Sequence, residues 1–365
     1  MRVLQVTTRY PPHTGGVETH VAELAERLVA RGHEVTVLTA DARSADAPRR
    51  QRRNGVRVVR HRGVAPGGAF HVAPGVVRSV RDSDADVVHA HNYHSLPLLF
   101  AAVGDELGTN RRRGDGDRPL VATPHYHGAS ASDRRDRLLS LYRPLGGWAL
   151  RRADAVVAVS DWERRALRRD FGVDARVIPN GLDVERFADA TPADSERPYL
   201  LSVGRLETYK GVQHAIRTLT ELPDYDLVVA GSGPDADELR RVAREAGVAD
   251  RVEFLGYVAD ADLPGLYAGA SAFVTLSGFE AYGMTVAEAL AAGTPCVVRE
   301  AGALVDWVER ADVVSIADGD QTNPRTVADA VEAAVLLDAP SEPLPTWEDV
   351  VAETEGVYES VVASQ

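Results

Sequence analysis

The stretch Ser277-Gly-Phe-Glu-Ala-Tyr-Gly-Met-Thr-Val-Ala-Glu-Ala-Leu-Ala-Ala-Gly-Thr-Pro-Cys-Val-Val298 decides how the chain is read. Ser277, Gly278 and Gly283 are turn residues, so the segment opens as a loop. Thr285 through Ala292 are good helix formers with an apolar face, and Gly293-Thr-Pro295 stops them. Cys296-Val-Val298 then begins a short buried strand. Two carboxylates, Glu280 on the loop and Glu288 on the helix, are separated by about 12 Å if the whole span is helical. A glycoside hydrolase needs its two acids roughly 5–9.5 Å apart. The pair therefore reads as two holders of different parts of one ligand. The backbone N–H groups of Gly283, Met284 and Thr285 lie at the positive end of the helix dipole, a natural anion site. A phosphate flanked by two carboxylates describes a sugar nucleotide.

Working outward, the second feature is Gly204-Arg-Leu-Glu-Thr-Tyr-Lys-Gly211, which follows the apolar run Tyr199–Val203 and precedes a helix expected to reach Leu222. Arg205 and Lys210 on one loop form a diphosphate clamp, the guanidinium by a bidentate contact and the ammonium as a point charge. Lys210 is the only lysine against 40 arginines. A residue that survives so strong a bias marks a place where a compact charge is needed. The same bias, with acids in excess, suits a high-salt cytoplasm or a GC-rich genome.

These strings resemble family 4 of the retaining glycosyltransferases (group 1, GT-B fold). Glu280-x7-Glu288 with Ala-x-x-Gly-Thr-Pro matches the family signature, and Arg205-x4-Lys210-Gly matches its donor-phosphate motif. The resemblance implies an α/β chain of two Rossmann-like, doubly wound domains facing a cleft. It also implies hexosyl transfer from a UDP- or GDP-sugar to a glycan, a lipid-linked or another hydroxyl acceptor, with retention and without metal or other cofactor. Glu288 would hold the ribose and Glu280 the sugar hydroxyls. Gly231-x-Gly233 would be a donor-side loop, and Phe254-Leu-Gly256 would lead to backbone around the base. After Val298 the family's Gly-Gly-x-x-Glu is replaced by Ala301-Gly-Ala-Leu-Val-Asp306.

The first half carries its own β/α series. Residues 2–8 and 35–39 read as buried parallel strands around Pro11-Pro-His-Thr-Gly-Gly-Val-Glu18 and a helix from about Thr19 to Arg31. A Gly-rich loop at the carboxyl ends of such strands is where ligands bind. Gly16 there lets a donor phosphate approach the backbone, or is a plain turn. Val121-Ala-Thr-Pro-His-Tyr-His-Gly128 is dense in imidazole. His125 and His127 are open to three readings: a metal pair, ordinary loop histidines, or a ligand-facing histidine at a strand end. In the family a histidine after Thr-x lies at the reaction centre, and His125 matches it. His89, His91 and His94 form a second cluster, expected to line the acceptor side at a strand end rather than to form a metal site.

The remaining expectations concern organisation. Residues 41–54 read as an exposed loop and 109–118 as a solvated insert. Asp133–Arg152 reads as a basic amphipathic helix interrupted at Pro144 and Gly146-Gly147, which either lies in a membrane interface or packs on the sheet. The domains are expected at 1–188 and 189–345, with a linker over 188–198 and a terminal helix, 346–365, crossing back to the first domain. At 365 residues the chain can fill two cores. A net charge of −13 argues against nucleic acid as a partner. One cysteine excludes an internal disulfide framework, and no apolar run reaches the ~20 residues that span a bilayer. The expected place is the cytoplasm, including the inner membrane face. Two rivals remain at this stage: an epimerase or phosphorylase of the same fold, and a non-catalytic sugar-nucleotide binding protein. A nicotinamide fingerprint at Gly231–Gly233 is disfavoured, because its third glycine is missing and Glu253 sits within a strand.

Overall fold

The computed structural model describes residues 1–41, 47–65, 71–108, 118–128, 133–340 and 342–365, with the backbone path alone for 133–136. The chain divides into two compact units, Met1–Gly181 with Trp347–Gln365, and Leu182–Thr346.

In the first unit the elements run β1 (Arg2–Val6), α1 (Gly16–Ala30), β2 (Glu34–Thr39), β3 (Arg50–Arg53) and β4 (Val56–Arg60). They continue with α2 (Gly75–Arg81), β5 (Val87–His91), α3 (Pro97–Glu106), β6 (Leu120–Thr123) and α4 (Asp133–Arg152). The series closes with β7 (Ala155–Ala158), α5 (Asp161–Phe171) and β8 (Arg176–Val177). The second unit holds α6 (Val184–Ala188), β9 (Tyr199–Val203), α7 (Val212–Thr218), β10 (Asp226–Ala230), α8 (Ala236–Glu245) and β11 (Val252–Gly256). After these come α9 (Leu263–Gly269), β12 (Ala272–Thr275), α10 (Met284–Ala291), β13 (Cys296–Arg299), β14 (Val313–Ile316) and α11 (Pro324–Ala334). The last helix, α12 (Trp347–Ala363), belongs to the first unit.

Both sheets are doubly wound. The first has the order β3-β4-β2-β1-β5-β6-β7-β8, and the second β11-β10-β9-β12-β13-β14. Each begins in the middle and reverses direction next to its first strand, between β1 and β5 and between β9 and β12. Ligands of open α/β sheets bind at the carboxyl ends of the strands at such a reversal. The strands are apolar because helices cover both faces: all five residues of β5 are buried, as are four of the five in β9.

Several expectations are corrected here. The Arg-rich stretch taken as loop contains β3, an antiparallel edge strand paired to β4, while residues 42–46 lie outside the described residues. Of the expected insert, 109–117 lie outside the described residues, and Arg118 is ion-paired with Asp105 at 2.9 Å. Helix α4 runs unbroken through Pro144. Gly146 serves close packing, since a Cβ there would come within 2.6 Å of the Tyr93 ring. Helix α7 stops at Thr218, short of Leu222. Residues 189–198 lie within the second unit, where the Ala193 N–H donates to the Gly265 carbonyl at 2.8 Å.

Helix α12 is part of the first unit's core. Trp347, Val350, Val351, Tyr358 and Val361 pack with Val21, Leu24 and Leu28 of α1. Its Glu355 accepts from His33 at 2.7 Å, and Arg31 also pairs with it.

Candidate active site

The carboxyl ends of β9 and β12 bring Lys210 and Glu280 together across seventy residues of sequence, Nζ to Oε1 at 2.5 Å. Both side chains are mostly buried, at 17% and 19% exposure. Burial opposes the Lys210 charge, the Glu280 carboxylate favours it, and the net shift of the ammonium is upward. Their two loops are zipped further. Tyr209 stacks on Phe279 with ring centres 4.1 Å apart, and the Gly278 N–H donates to the Tyr209 carbonyl at 2.7 Å. Arg205, on the same loop, is largely exposed and paired with Glu207 at 2.5 Å.

Glycines shape this site by close approach. Gly231 sits at φ +143°, and a Cβ there would fall 1.8 Å from the Gly204 carbonyl oxygen. The Gly231 N–H donates to Gly256 at 2.7 Å, so the turns after β9, β10 and β11 are stacked backbone to backbone. Gly302 backs the Glu280 loop in the same way, since a Cβ would lie 2.7 Å from the Glu280 nitrogen. The divergent stretch after Val298 is thus the buttress of Glu280: Ala303 N–H donates to the Glu280 carbonyl at 3.0 Å, and Trp307 Nε1 to the Tyr282 carbonyl at 2.7 Å.

Gly283 is the N-cap of α10, so Met284 and Thr285 open the helix. Their N–H groups are among those a helix leaves without an internal acceptor. One turn further on, Glu288 Oε2 accepts from the fully buried Tyr267 hydroxyl at 2.7 Å. Burial pushes the Glu288 carboxyl up to about 7, against the Tyr267 hydrogen bond that favours its ionised form.

The first unit places a different chemistry at the end of its strands. His89 and His91 share one face of β5. His89 is fully engaged, Nδ1 with the Tyr358 hydroxyl and Nε2 with Thr123 Oγ1, both at 2.7 Å. His91 meets His20 of α1 and His125 after β6, with ring centres 5.7 and 6.0 Å away. His20 and His125 meet edge to face at 5.0 Å. One nitrogen of His20, one of His125 and both of His91 are buried with no hydrogen-bond partner. Burial lowers the pKa of all three, His20 to about 4, so the cluster is neutral. Each ring offers a nitrogen within 4.8 Å of the others, a set that could hold a metal ion. His127 stacks on His94 with ring centres 3.8 Å apart, and the metal-capable group among the described residues joins His125 to His20 and His91 instead. His89 and His91 are buried and line no open surface, which corrects the expectation for those two, while His94 is half-buried.

Gly16 is exposed at the first position of α1, with open space where a side chain would stand. Glu18 folds its carboxylate back on its own N–H, against Gly15. The anion-attracting end of α1 therefore already holds an anion.

Sequence reading missed His20, Asn180 (bonded to His20), Tyr209, Phe279, Tyr267 and Gly302. His20 was within reach, four residues after Gly16 and so on the same helix face. The others depend on which loops the topology makes neighbours.

Two family models cover nearly all of the chain, Glycosyltransferase Family 4 over residues 14–186 and Glycosyl transferases group 1 over residues 183–342. A GDP-mannose-dependent alpha-(1-6)-phosphatidylinositol monomannoside mannosyltransferase of Mycobacterium tuberculosis is 30% identical, over 92% of this chain and 89% of its own length. A phosphatidyl-myo-inositol mannosyltransferase of Mycolicibacterium smegmatis is 31% identical, over 95% and 90%. Among solved structures, sucrose-phosphate synthase from Thermosynechococcus elongatus superposes with a TM-score of 0.74 at 20% identity, covering both chains fully. The Anabaena protein HepE in complex with UDP superposes with a TM-score of 0.72 at 19% identity, over all of this chain and 98% of that one. Such matches do not favour the epimerase, phosphorylase or binding-protein readings. With its two doubly wound units and the Lys210–Glu280 pair at the reversal of the second, the chain belongs to the family 4, group 1 glycosyltransferases, nucleotide-sugar-dependent hexosyltransferases of the GT-B fold.

Proposed function

We propose that this enzyme transfers mannose from GDP-mannose to a hydroxyl of a lipid-linked acceptor, without a metal and with retention. The observation that carries the donor assignment is the Lys210–Glu280 pair. A mostly buried ammonium needs a counter-charge, and the Glu280 carboxylate supplies one. The donor's diphosphate takes over that role, which frees Glu280 to turn to the sugar hydroxyls. Arg205 and the N–H groups of Gly283, Met284 and Thr285 add to the same stabilisation, and Glu288 holds the ribose. Gly231 and Gly256 keep the loops under the base closely stacked. On the first unit, His125 is assigned to the transferring sugar and Gly16 to the donor phosphate. Glu18 would then give up the helix end much as Glu280 gives up Lys210.

In the reaction the bond from the anomeric carbon to the diphosphate oxygen breaks, and its electron pair leaves with the diphosphate. The acceptor oxygen bonds to that carbon and its proton passes to the leaving phosphate or solvent. Fixed positive charge around the diphosphate lowers the barrier as charge develops there. Guanosine and mannose are chosen because the Mycobacterium tuberculosis relative is named as GDP-mannose-dependent and the Mycolicibacterium smegmatis relative as a mannosyltransferase; retention rests on the family.

A lipid-linked acceptor fits helix α4. Leu138, Leu141 and Leu145 are 44%, 77% and 54% exposed and fall on one stripe. Several of its arginines are engaged within the unit: Arg143 with Asp170, Arg152 with Glu106, and Arg151 with the Phe171 carbonyl. The leucines supply the apolar side of the proposed peripheral contact with the inner membrane face. No described helix is long and apolar enough to cross a membrane.

A panel of nucleotide sugars in EDTA, with phosphatidylinositol vesicles as acceptor, tests the reading. GDP release from GDP-mannose alone, lost in Lys210→Ala, is expected. Release of UDP instead would replace the donor, and nucleotide-sugar binding without any turnover would remove the enzymatic reading. Vesicle flotation, expected to be lost in Leu141→Asp, tests the membrane contact; flotation equal to wild type would end it.

A further inference from the structure

Glu163 is fully buried, yet the proposed chemistry does not use it. It sits at the third position of α5, behind the N-cap Ser160, whose hydroxyl accepts from the Glu163 N–H at 3.0 Å. In an ordinary Ser-x-x-Glu capping box the glutamate returns to the N–H of the cap residue itself. Here it does not. One carboxylate oxygen accepts from the Val159 N–H at 2.6 Å, and the other reaches the neighbouring strand's loop to accept from the Tyr126 N–H at 2.5 Å. Strands β6 and β7 are parallel neighbours, so this one carboxylate ties their carboxyl ends together.

The residue before Tyr126 is His125, which stands at φ +48°. A non-glycine residue in the left-handed region is strained by roughly 1–2 kcal/mol and persists only when its surroundings hold it. The Tyr126 N–H lies in the peptide plane shared with the His125 carbonyl, so fixing that N–H fixes ψ of His125. Tyr126 is also held at its far end, where its hydroxyl donates to Asp170 at 2.9 Å. The His125 ring is thereby aimed into the cluster with His20 and His91.

We propose that Glu163 is a positioning residue for glycosyl transfer: by bridging the ends of β6 and β7 it holds His125 in its left-handed conformation and aims the imidazole. The proposal rests on the reading that His125 serves the reaction, and Glu163 acts only through it. A glutamine at 163 has one acceptor for two N–H groups and would turn an NH2 toward one of them, whereas an aspartate keeps two acceptors but is one methylene short of reaching both.

The test is a double-mutant cycle of Glu163→Gln and His125→Ala, with donor kcat and KM measured separately and folding followed by circular dichroism. The expected result is a loss of kcat of about tenfold or more in Glu163→Gln, with donor KM within about threefold, since a displacement near 1 Å can cost up to about a hundredfold. The same change in the His125→Ala background is expected to do nothing further. An equal loss in both backgrounds, or no loss in either, would overturn the proposal. If Glu163→Gln does not fold, Glu163→Asp carries the same cycle with a smaller loss. Imidazole NMR of histidine-labelled protein, with His125 assigned from His125→Ala, separates the two ideas. If His125→Ala keeps full kcat, the reading of His125 fails; the bridge then stands if the His125 ring signals move in Glu163→Gln and falls if they do not.

Discussion

The two units share a strand order but furnish its reversal point with opposite chemistry. In the second, the groups are charged and matched: Lys210 with Glu280 and Arg205 with Glu207, with the two loops clasped by the Tyr209–Phe279 stack. In the first, three neutral imidazoles are packed together with four nitrogens left without partners. Matched ions can be exchanged for another ion of the same sign at little cost in desolvation, which suits a diphosphate. Neutral rings with unused nitrogens suit hydroxyls, because an unpaired buried polar group costs about 1–3 kcal/mol until something bonds to it. One fold thus carries a charged, ion-paired half and a neutral, imidazole-lined half.

The most damaging way to break this contrast is Lys210→Ala. It leaves Glu280 with no counter-charge and the leaving diphosphate with one fewer, and kcat/KM is expected to fall about 10²–10³-fold. Lys210→Arg sharpens the point, since a fork longer than the ammonium should recover only part of the loss if a point charge is what matters; full recovery in steady-state kinetics would contradict that. Next in size is His125→Ala, expected to lower kcat about 10–100-fold while leaving nucleotide binding by calorimetry unchanged. Loss of nucleotide affinity in that variant would erase the division of labour between the units.

The pH dependence is a smaller effect. In the proposed donor complex Glu288 accepts ribose hydroxyls best when ionised, and burial pushes its carboxyl up to about 7. Donor KM is therefore expected to fall as the pH is raised from 6 to 8, with a flat profile in Glu288→Gln. The same raised value has a stability consequence of fixed sign. Between the unfolded value near 4.5 and about 7 the folded chain binds the proton more tightly, so this group's stabilising contribution fades as pH rises through 7. A wild-type profile as flat as that of Glu288→Gln would remove the ribose role. Smallest is Tyr358→Phe, which deletes the bond to His89 and is expected to cost about 1 kcal/mol by denaturant melting, with kcat unchanged. A fall in kcat there would show that the imidazole half reaches as far as α12.

The charged half was the more legible in sequence. Glu280-x7-Glu288 with its following Gly-Thr-Pro, and the solitary Lys210 after Arg205, are legible because each comes within a longer string of turn and helix residues. The imidazole half was not, because grouping His20 with His91 and His125 requires knowing that α1, β5 and β6 converge. Periodicity found the buried strands but passed over β3, since Arg-Gln-Arg-Arg carries no apolar signal and its pairing to β4 is set by the neighbour. Pro144 and the two glycines suggested a break in α4, where the tight fit of Gly146 against Tyr93 instead favours continuation. Glu163 carries no signal in the sequence beyond its place in the first turn of α5; the structure shows its carboxylate reaching the next loop. The stretch that replaces Gly-Gly-x-x-Glu after Val298 is a support, with Gly302 beneath Glu280.

Helix α12 has a consequence for how the chain comes off the ribosome. Residues 182–346 form one uninterrupted body, whereas the body around β1 is built from both sides of it. Domains ordinarily fold in the order they are made. Here the earlier-made body has no Tyr358 to meet His89, and no Trp347, Val350 or Val351 to cover α1, until residues 347–365 have been translated. The later-made body can complete first, and the earlier one waits with one side of its core uncovered, open to chaperones and proteases for the time it takes to synthesise everything in between.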